Sequence, residues 1–315
     1  MTGSRVVALG HYQPSKVLTN DDLTELVDTS DEWIRTRVGI RTRHVAETET
    51  VDEMAAYAAE KALSAGGLGA ADIDLVVVAT CTARDRSPNM AARVAARLGV
   101  RAPAAYDINT ACSGFCYGLA TADHAIQAGA ARNALVIGSE KLTEFTDWTD
   151  RTTCVLVGDG AGAAVVRAAE PGMGQPGIGP VVWGCVPELA NAVRIEGTPG
   201  TFSQEGLAVF RWATTAVAGL ARQACERVGI APEELAAFVP HQANLRIIEP
   251  IARQLGVTDA VVARDVVESG NTSAASVPLA LSKLVERGEI PSGAPVLLFG
   301  FGGGVSYAGQ VIRCP

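Results

Sequence analysis

The sequence is short of positive charge, of paired cysteines and of aromatic residues, and each shortage excludes something. Lys and Arg total 26 against 34 Asp and Glu, for a net charge of −8. A chain of that sign offers no broad surface for nucleic acid. No run reaches the ~18–20 continuous apolar residues of a membrane span. The opening stretch MTGSRVVALGHYQPSK turns directly into a strand pattern without the apolar segment of a signal peptide. The expectation is a cytoplasmic protein with neither nucleic acid nor a membrane as partner. The seven cysteines (Cys81, Cys112, Cys116, Cys154, Cys185, Cys225 and Cys314) are odd in number and contain no C-x-x-C pair. Neither a disulfide framework nor a metal site is expected from them. Aromatics are 5% of the chain while hydrophobic residues reach 48%. A core built from Ala, Val and Gly suits helices packed tightly on a buried sheet.

What is present is a sequence written twice. GLGAADIDLVVVA from Gly67 and GIAPEELAAFVPH from Gly229 both read as a helix ending at glycine, an acidic turn and a buried strand. The same offset of 162 residues lays NTACSG, from Asn109, on NTSAAS, from Asn271, and LVIGS, from Leu135, on LLFGF, from Leu297. RVVALGHYQP has a looser partner in GPVVWGCVPE, from Gly179. Two similar α/β halves are expected, residues 1–170 and 171–315, divided in the Gly- and Pro-rich stretch Ala168–Pro180. Packed together they form layers of helix and sheet, and pockets form at such shared interfaces.

The repeat places Cys112 opposite Ala274 and Asn109 opposite Asn271, at two equivalent strand-to-helix turns. A thiol at the start of a helix differs from a core cysteine, because the helix dipole favours its anion. Only four histidines occur: His11, His44, His124 and His241. His241 follows the buried strand LAAFV and precedes a helix, the place where α/β proteins put reactive groups. GFGGG, Gly300–Gly304, follows the strand APVLLF and reads either as a tight turn or as a backbone N–H offered to an oxyanion. It is no phosphate loop, since no G-K-[ST] follows. GDGAGAAVV, from Gly158, precedes an apolar strand and so is no dinucleotide site. A thiol, an imidazole and an amide at strand ends point to acyl transfer. A cysteine protease uses the same residue types, but the duplicated halves do not suit it.

The segments NTACSGF, VPHQANLRII and GNTSAASVPLAL resemble the active-site segments of the β-ketoacyl-acyl-carrier-protein synthase III family, within the thiolase-like superfamily. The likeness runs from SDEWIRTRVGIRTRH at Ser30 to GFGGGVSYAG near the end. It implies a five-layered α-β-α-β-α fold and a homodimer. It implies Cys112, His241 and Asn271 as the catalytic set, with the backbone N–H groups of Cys112 and Gly303 as the oxyanion hole. No cofactor is implied; acyl-CoA and malonyl-acyl carrier protein are the substrates, joined by decarboxylative condensation. Trp33 and Arg151 match the family positions that hold the CoA adenine, with Arg37 near the phosphates. Arg211, Arg246 and Arg253 are candidates for docking the acidic carrier protein, and otherwise are ordinary solvated helix charges. Phe301 stands where degradative thiolases carry a second cysteine, and Asn271 where elongating synthases carry a second histidine. A chalcone-synthase-like enzyme shares Cys, His and Asn and stays open, as does a non-condensing acyltransferase.

Two stretches depart from the family pattern. In CTARDRSPNM, Ser87 precedes Pro88 where the family often has a bulky aromatic that closes the partner subunit's acyl pocket, so a roomier pocket is expected. The loop Thr198–Ser203 is short and is expected to reshape the pocket entrance.

Overall fold

The computed structural model describes residues 3–170, 177–197 and 200–315. The middle of the inter-half stretch, 171–176, and the first two residues of the short loop, Thr198 and Pro199, lie outside the described residues. The first sheet is built from β1 (Ser4–Tyr12), β2 (Leu75–Ala79), β3 (Ala104–Ile108), β4 (Asn133–Lys141) and β5 (Asp159–Ala168). The second is built from β6 (Val182–Cys185), β7 (Ala237–Pro240), β8 (Val261–Val262), β9 (Pro295–Gly302) and β10 (Ser306–Arg313). Strand order is β1-β5-β4-β2-β3 in one and β6-β10-β9-β7-β8 in the other. Strand directions match as well. The pairs β2–β3, β2–β4, β7–β8 and β7–β9 are parallel, while β4–β5, β1–β5, β9–β10 and β10–β6 are antiparallel. The duplication read from three short stretches thus extends to the whole topology, including the loosely matched β1 and β6.

The helices repeat in the same way. Helices α1 (Val51–Ala65), α2 (Met90–Leu98) and α3 (Gly114–Gln127) belong to the first sheet, and α4 (Gly206–Glu226), α5 (Leu245–Leu255) and α6 (Ser276–Glu286) to the second. Helices α3 and α6 touch strands of both sheets and form the middle layer; α1 and α2 cover one outer face, α4 and α5 the other. This is the five-layered α-β-α-β-α arrangement of the thiolase-like fold. Each layer follows from side-chain alternation on the strands. Leu75 and Val77 of β2 join the central core with Phe115 and Leu119 of α3, whereas Val76 and Val78 join the outer core with Met54 and Ala58 of α1. A strand buried on both faces therefore reads as the continuous apolar run LVVVA.

The cores do not respect the division into halves. Leu23, Ile34 and Ile40 from the N-terminal segment, and Cys154–Val157 before β5, pack in the outer core of the second sheet with Phe238 and Phe299. Among the described residues no helix is long and apolar enough to cross a membrane, and no group of His, Cys, Asp and Glu is placed to hold a metal ion.

Candidate active site

The two equivalent turns are 3-10 turns, Ala111–Ser113 before α3 and Ser273–Ala275 before α6, at the expected offset. Ala111 has φ 45° and Ser273 φ 47°, left-handed conformations uncommon for residues with a Cβ. Each turn lies against a glycine of the opposite sheet, and these glycines are themselves equivalent. A methyl on Gly300 of β9 would stand 2.8 Å from Ser113 Cα, and one on Gly138 of β4 would overlap the Ala274 carbonyl. Cross-packing at small residues is what brings a turn of each half to one place.

One cavity of about 740 Å³ is lined by Cys112, His241, Asn271, Gly303 and Ser273 together. The structure therefore assembles the thiol, imidazole and amide expected from sequence. Its apolar wall includes Leu142, Leu156, Val193, Phe202, Phe210 and Phe301.

Cys112 sits within the 3-10 turn, just before α3 begins at Gly114. Burial pushes its thiol up to about 11, against the lowering contributed by the Ser273 hydroxyl and the backbone N–H groups of Gly303 and Cys112. Desolvation thus opposes the thiolate that the helix start favours. Those same two N–H groups converge beside the sulfur. The backbone at Gly302 comes so close that a methyl there would lie 2.7 Å from Cys112 Sγ, which explains the need for glycine in GFGGG.

His241 follows β7, its N–H bonded to the Phe299 carbonyl at 2.8 Å. Its ring lies edge-on to Phe301, with centroids 5.4 Å apart. Burial lowers its pKa to about 3, so the imidazole is neutral. Nδ1 is 2.8 Å from Ser276 Oγ, which also accepts the Gln242 N–H at 3.4 Å. That contact engages Nδ1 and leaves Nε2 as the ring nitrogen free to act in the cavity. The Asn271 amide is likewise oriented: Oδ1 accepts the Ser273 N–H at 2.9 Å, so Nδ2 is the end left for the cavity.

Of the remaining expected residues, Arg37 and Arg246 line the cavity, while Trp33, Arg151, Arg211, Arg253 and Ser87 are not among its lining residues. The Arg151 guanidinium lies directly over the Trp33 indole, 5.1 Å from the ring centroid, and donates to the Asp28 carbonyl at 2.7 Å. Arg246 stacks over Phe210 at 5.8 Å. Arg211 and Arg253 are exposed on α4 and α5, and Ser87 is exposed on the loop between β2 and α2.

Sequence reasoning missed Ser273, Ser276, Gln242 and Glu140. Glu140, fully buried at the end of β4, accepts from Thr80 Oγ1 at 3.0 Å, Thr82 Oγ1 at 2.6 Å and Ser273 Oγ at 3.0 Å. The available signal was a carboxylate closing the apolar run LVIGSE.

Duplicated halves meeting at a Cys, a His and an Asn define an acyl-transferring enzyme of the thiolase-like class. Comparison narrows this. Models for 3-oxoacyl-[acyl-carrier-protein] synthase III match residues 106–185, and for its C-terminal part residues 225–314. The chain is 71% identical to "Beta-ketoacyl-[acyl-carrier-protein] synthase III 2" of Streptomyces avermitilis, with 100% of both sequences covered. Among solved structures it is similar to the priming β-ketosynthase of the R1128 polyketide pathway, at 41% identity and a TM-score of 0.95 over 100% of this chain and 97% of that one. It is also similar to 3-oxoacyl-[acyl-carrier-protein] synthase III of Aquifex aeolicus, at 40% identity and a TM-score of 0.94 over 99% of this chain and 100% of that one. The chain belongs to the 3-oxoacyl-[acyl-carrier-protein] synthase III family.

Proposed function

We propose that this protein primes fatty acid or polyketide chains by condensing an acyl-CoA starter with malonyl-acyl carrier protein, through an acyl group held on Cys112. The observation that carries the reading is the meeting of Cys112, the neutral His241 and the outward amide of Asn271 in one cavity. Cys112 attacks the thioester, and the tetrahedral oxyanion rests on the N–H groups of Cys112 and Gly303. Malonyl-acyl carrier protein then loses CO₂. The thioester enolate so formed needs two donors, which His241 Nε2–H and Asn271 Nδ2–H supply. A non-condensing acyltransferase has no enolate to stabilise, and the oriented amide favours condensation over it.

Arg246, stacked at the cavity mouth, is the strongest of the three carrier-docking candidates; Arg253 lies two turns along the same helix and Arg211 on the neighbouring one. Trp33 and Arg151 hold the adenine if the exposed guanidinium swings off the indole, with Arg37 toward the phosphates. We place the enzyme in the cytoplasm, as a homodimer in which the exposed Arg84–Pro88 loop reaches the partner's acyl pocket. There Ser87 leaves room for branched or longer starters.

The test incubates the protein with a panel of acyl-CoAs, then with malonyl-acyl carrier protein, and follows both by mass spectrometry. The reading expects acylation at Cys112 and discharge as β-ketoacyl carrier protein. Adducts that only small alcohols or amines discharge contradict it. A strong preference for acetyl-CoA over every longer starter contradicts the Ser87 reading alone.

A further inference from the structure

Glu140 is fully buried at the end of β4, and the chemistry above makes no use of it. We infer that it is a positioning residue: its carboxylate fixes the turn Ser273–Ala275, and through that turn it aims the Asn271 amide into the cavity. The inference rests on the reading above, in which Asn271 serves condensation and not acylation.

The contacts run without a break from the carboxylate to the amide. Oε1 of Glu140 accepts the Ser273 hydroxyl at 3.0 Å and the Ala274 N–H at 3.4 Å. Ser273 in turn gives its N–H to Asn271 Oδ1 at 2.9 Å, the bond that leaves Nδ2 for the cavity. One residue thus offers its hydroxyl to Glu140 and its backbone to the amide. The carboxylate is itself anchored in the first half of the chain. Oε2 accepts Thr80 Oγ1 at 3.0 Å and Thr82 Oγ1 at 2.6 Å, and the Cys81 N–H lies 3.2 Å from Oε1 and 3.1 Å from Oε2. The Cys81 thiol donates to Oε1 at 3.3 Å. Glu140 therefore ties the loop after β2 and the end of β4 to the turn that follows Asn271.

The duplication supplies an internal control. The 162-residue offset lays Glu140 on Gly302 and Ala111 on Ser273. Each pair joins a strand end of one sheet to a turn of the opposite half. At the first turn, Gly302 and Ala111 carry no polar side chain, and Gly302 leaves its room to the Cys112 sulfur, which a methyl there would meet at 2.7 Å. At the second turn, the same two positions carry a carboxylate and a hydroxyl bonded to each other. The backbone is equal in both, φ 45° at Ala111 and 47° at Ser273, so the hydroxyl is not what makes the turn. A need common to both frames would be met alike in both. The polar pair appears only at the turn that must orient an amide.

Fold stability alone does not account for the carboxylate. Its hydrogen-bond partners are neutral, and the neighbouring Lys141 turns its ammonium to the Glu49 carbonyl at 2.9 Å. A carboxylate buried without a counter-charge is costly to the fold. What Glu140 supplies is a pair of acceptor oxygens at fixed positions. A glutamine keeps one of them for Ser273, Ala274 and Cys81, and sets its NH₂ against the Thr80 and Thr82 hydroxyls, which accept as well as donate. An alanine keeps neither.

The experiment loads Cys112 from acetyl-, isobutyryl- or hexanoyl-CoA, whichever acylates fastest, chases with malonyl-acyl carrier protein, and times each half-reaction by mass spectrometry. Crystal structures of the wild type and variants locate the Asn271 amide. In Glu140→Ala the amide should shift by about an ångström or more, discharge should slow by about tenfold or more, and acylation should stay within about threefold of wild type. Glu140→Gln should bring discharge back to within about threefold of wild type. Ser273→Ala should show the same partition with a smaller loss, and it serves if Glu140→Ala does not fold, since alanine already holds that backbone conformation at Ala111. In an Asn271→Ala background, Glu140→Ala should slow discharge by no more than about twofold further, because the group it positions is gone. Equal losses in both half-reactions, a full multiplicative loss in the Asn271→Ala background, or an amide unmoved in the variant crystals overturns the inference. If wild-type Cys112 takes no acyl group, or Asn271→Ala discharges as fast as wild type, the functional reading fails, and the crystal comparison still decides whether Glu140 positions the amide.

Discussion

Ser276 Oγ stands 2.8 Å from Nδ1 of His241, joining the first residue of α6 to the end of β7. Both lie in the second half of the chain, and Ser276 is the residue that the 162-residue offset lays on Gly114. The first half needs a small residue there, since a methyl on Gly114 would lie 2.9 Å from Ala79 Cβ. The second half uses the same position to orient an imidazole. The duplication thus supplied two matching frames, and single side chains within them diverged to carry chemistry.

Removing that contact separates the two half-reactions. Ser276→Ala leaves a buried ring nitrogen unpaired, worth about 1–3 kcal/mol. Decarboxylation of malonyl-acyl carrier protein should slow by about tenfold to a hundredfold, with acylation of Cys112 by acyl-CoA within about twofold of wild type. Rapid-quench measurement of each step checks this; equal losses in both would mean that Ser276 merely stabilises the fold.

Gly302 is the second point of sensitivity. A Cβ there would stand 2.6 Å from Cys112 Cβ and 2.7 Å from Sγ, well inside contact distance. Gly302→Ala should displace the nucleophile and lower the acylation rate by at least about a hundredfold, since misplacement of a reacting atom by an ångström costs that much. The thermal midpoint should fall with it. Near-normal acylation would show that the thiol reaches substrate from another position.

The Trp33–Arg151 stack gives a prediction about binding alone. Trp33→Ala and Arg151→Ala should each raise KM for acyl-CoA by about tenfold with little change in kcat. A truncated thioester lacking the adenine should be used equally well by wild type and both variants. Loss of activity toward the truncated substrate as well would point to a structural role for the pair.

Acid sensitivity follows from two histidines, His241 buried and His11 half-buried. Burial holds His241 neutral down to about 3, and burial with the neighbouring Lys61 charge holds His11 neutral down to about 4. In the unfolded chain both titrate near 6.5. Below that pH the unfolded state binds more protons, so stability falls as pH drops through about 6.5 toward 4. Asp159 acts oppositely: burial raises its pKa to about 6, so between about 6 and 4 the folded state takes up its proton. The urea midpoint should therefore fall from pH 7 to pH 5, at about 1.4 kcal/mol per pH unit or less. His11→Asn should flatten the slope. An unchanged slope would mean that His11 charges within the fold.

Much of this site was legible because the repeat gave an internal alignment. Asn109–Ser113 and Asn271–Ala275 pointed to one another, and GFGGG ended the strand equivalent to LVIGS. What stayed hidden depends on contacts between segments far apart in sequence. Glu140 closes the apolar run LVIGSE, and its role shows only when Thr80, Thr82 and Ser273 are seen to surround it. Trp33 and Arg151 are far apart in sequence, and only the fold shows that the guanidinium lies over the indole. Leu23 and Ile34 precede the first large helix, yet they pack under the second sheet; no local pattern shows which of two similar sheets an amphipathic segment will cover. The Cys112 thiol reads as activated by its helix, and only the depth of the cavity shows that burial works against the dipole.

The central claim is that Cys112 captures the acyl group and that the Asn271 amide serves only the carbon–carbon bond-forming half. Its most direct test is Asn271→Ala, acylated with a starter CoA, then chased with malonyl-acyl carrier protein while the mass of the Cys112 peptide is followed. The account predicts acylation near the wild-type rate and an adduct that persists, with discharge slowed by about a hundredfold to a thousandfold. An Asn271→Ala protein that fails to acylate, or one that discharges the adduct as fast as wild type, would contradict it.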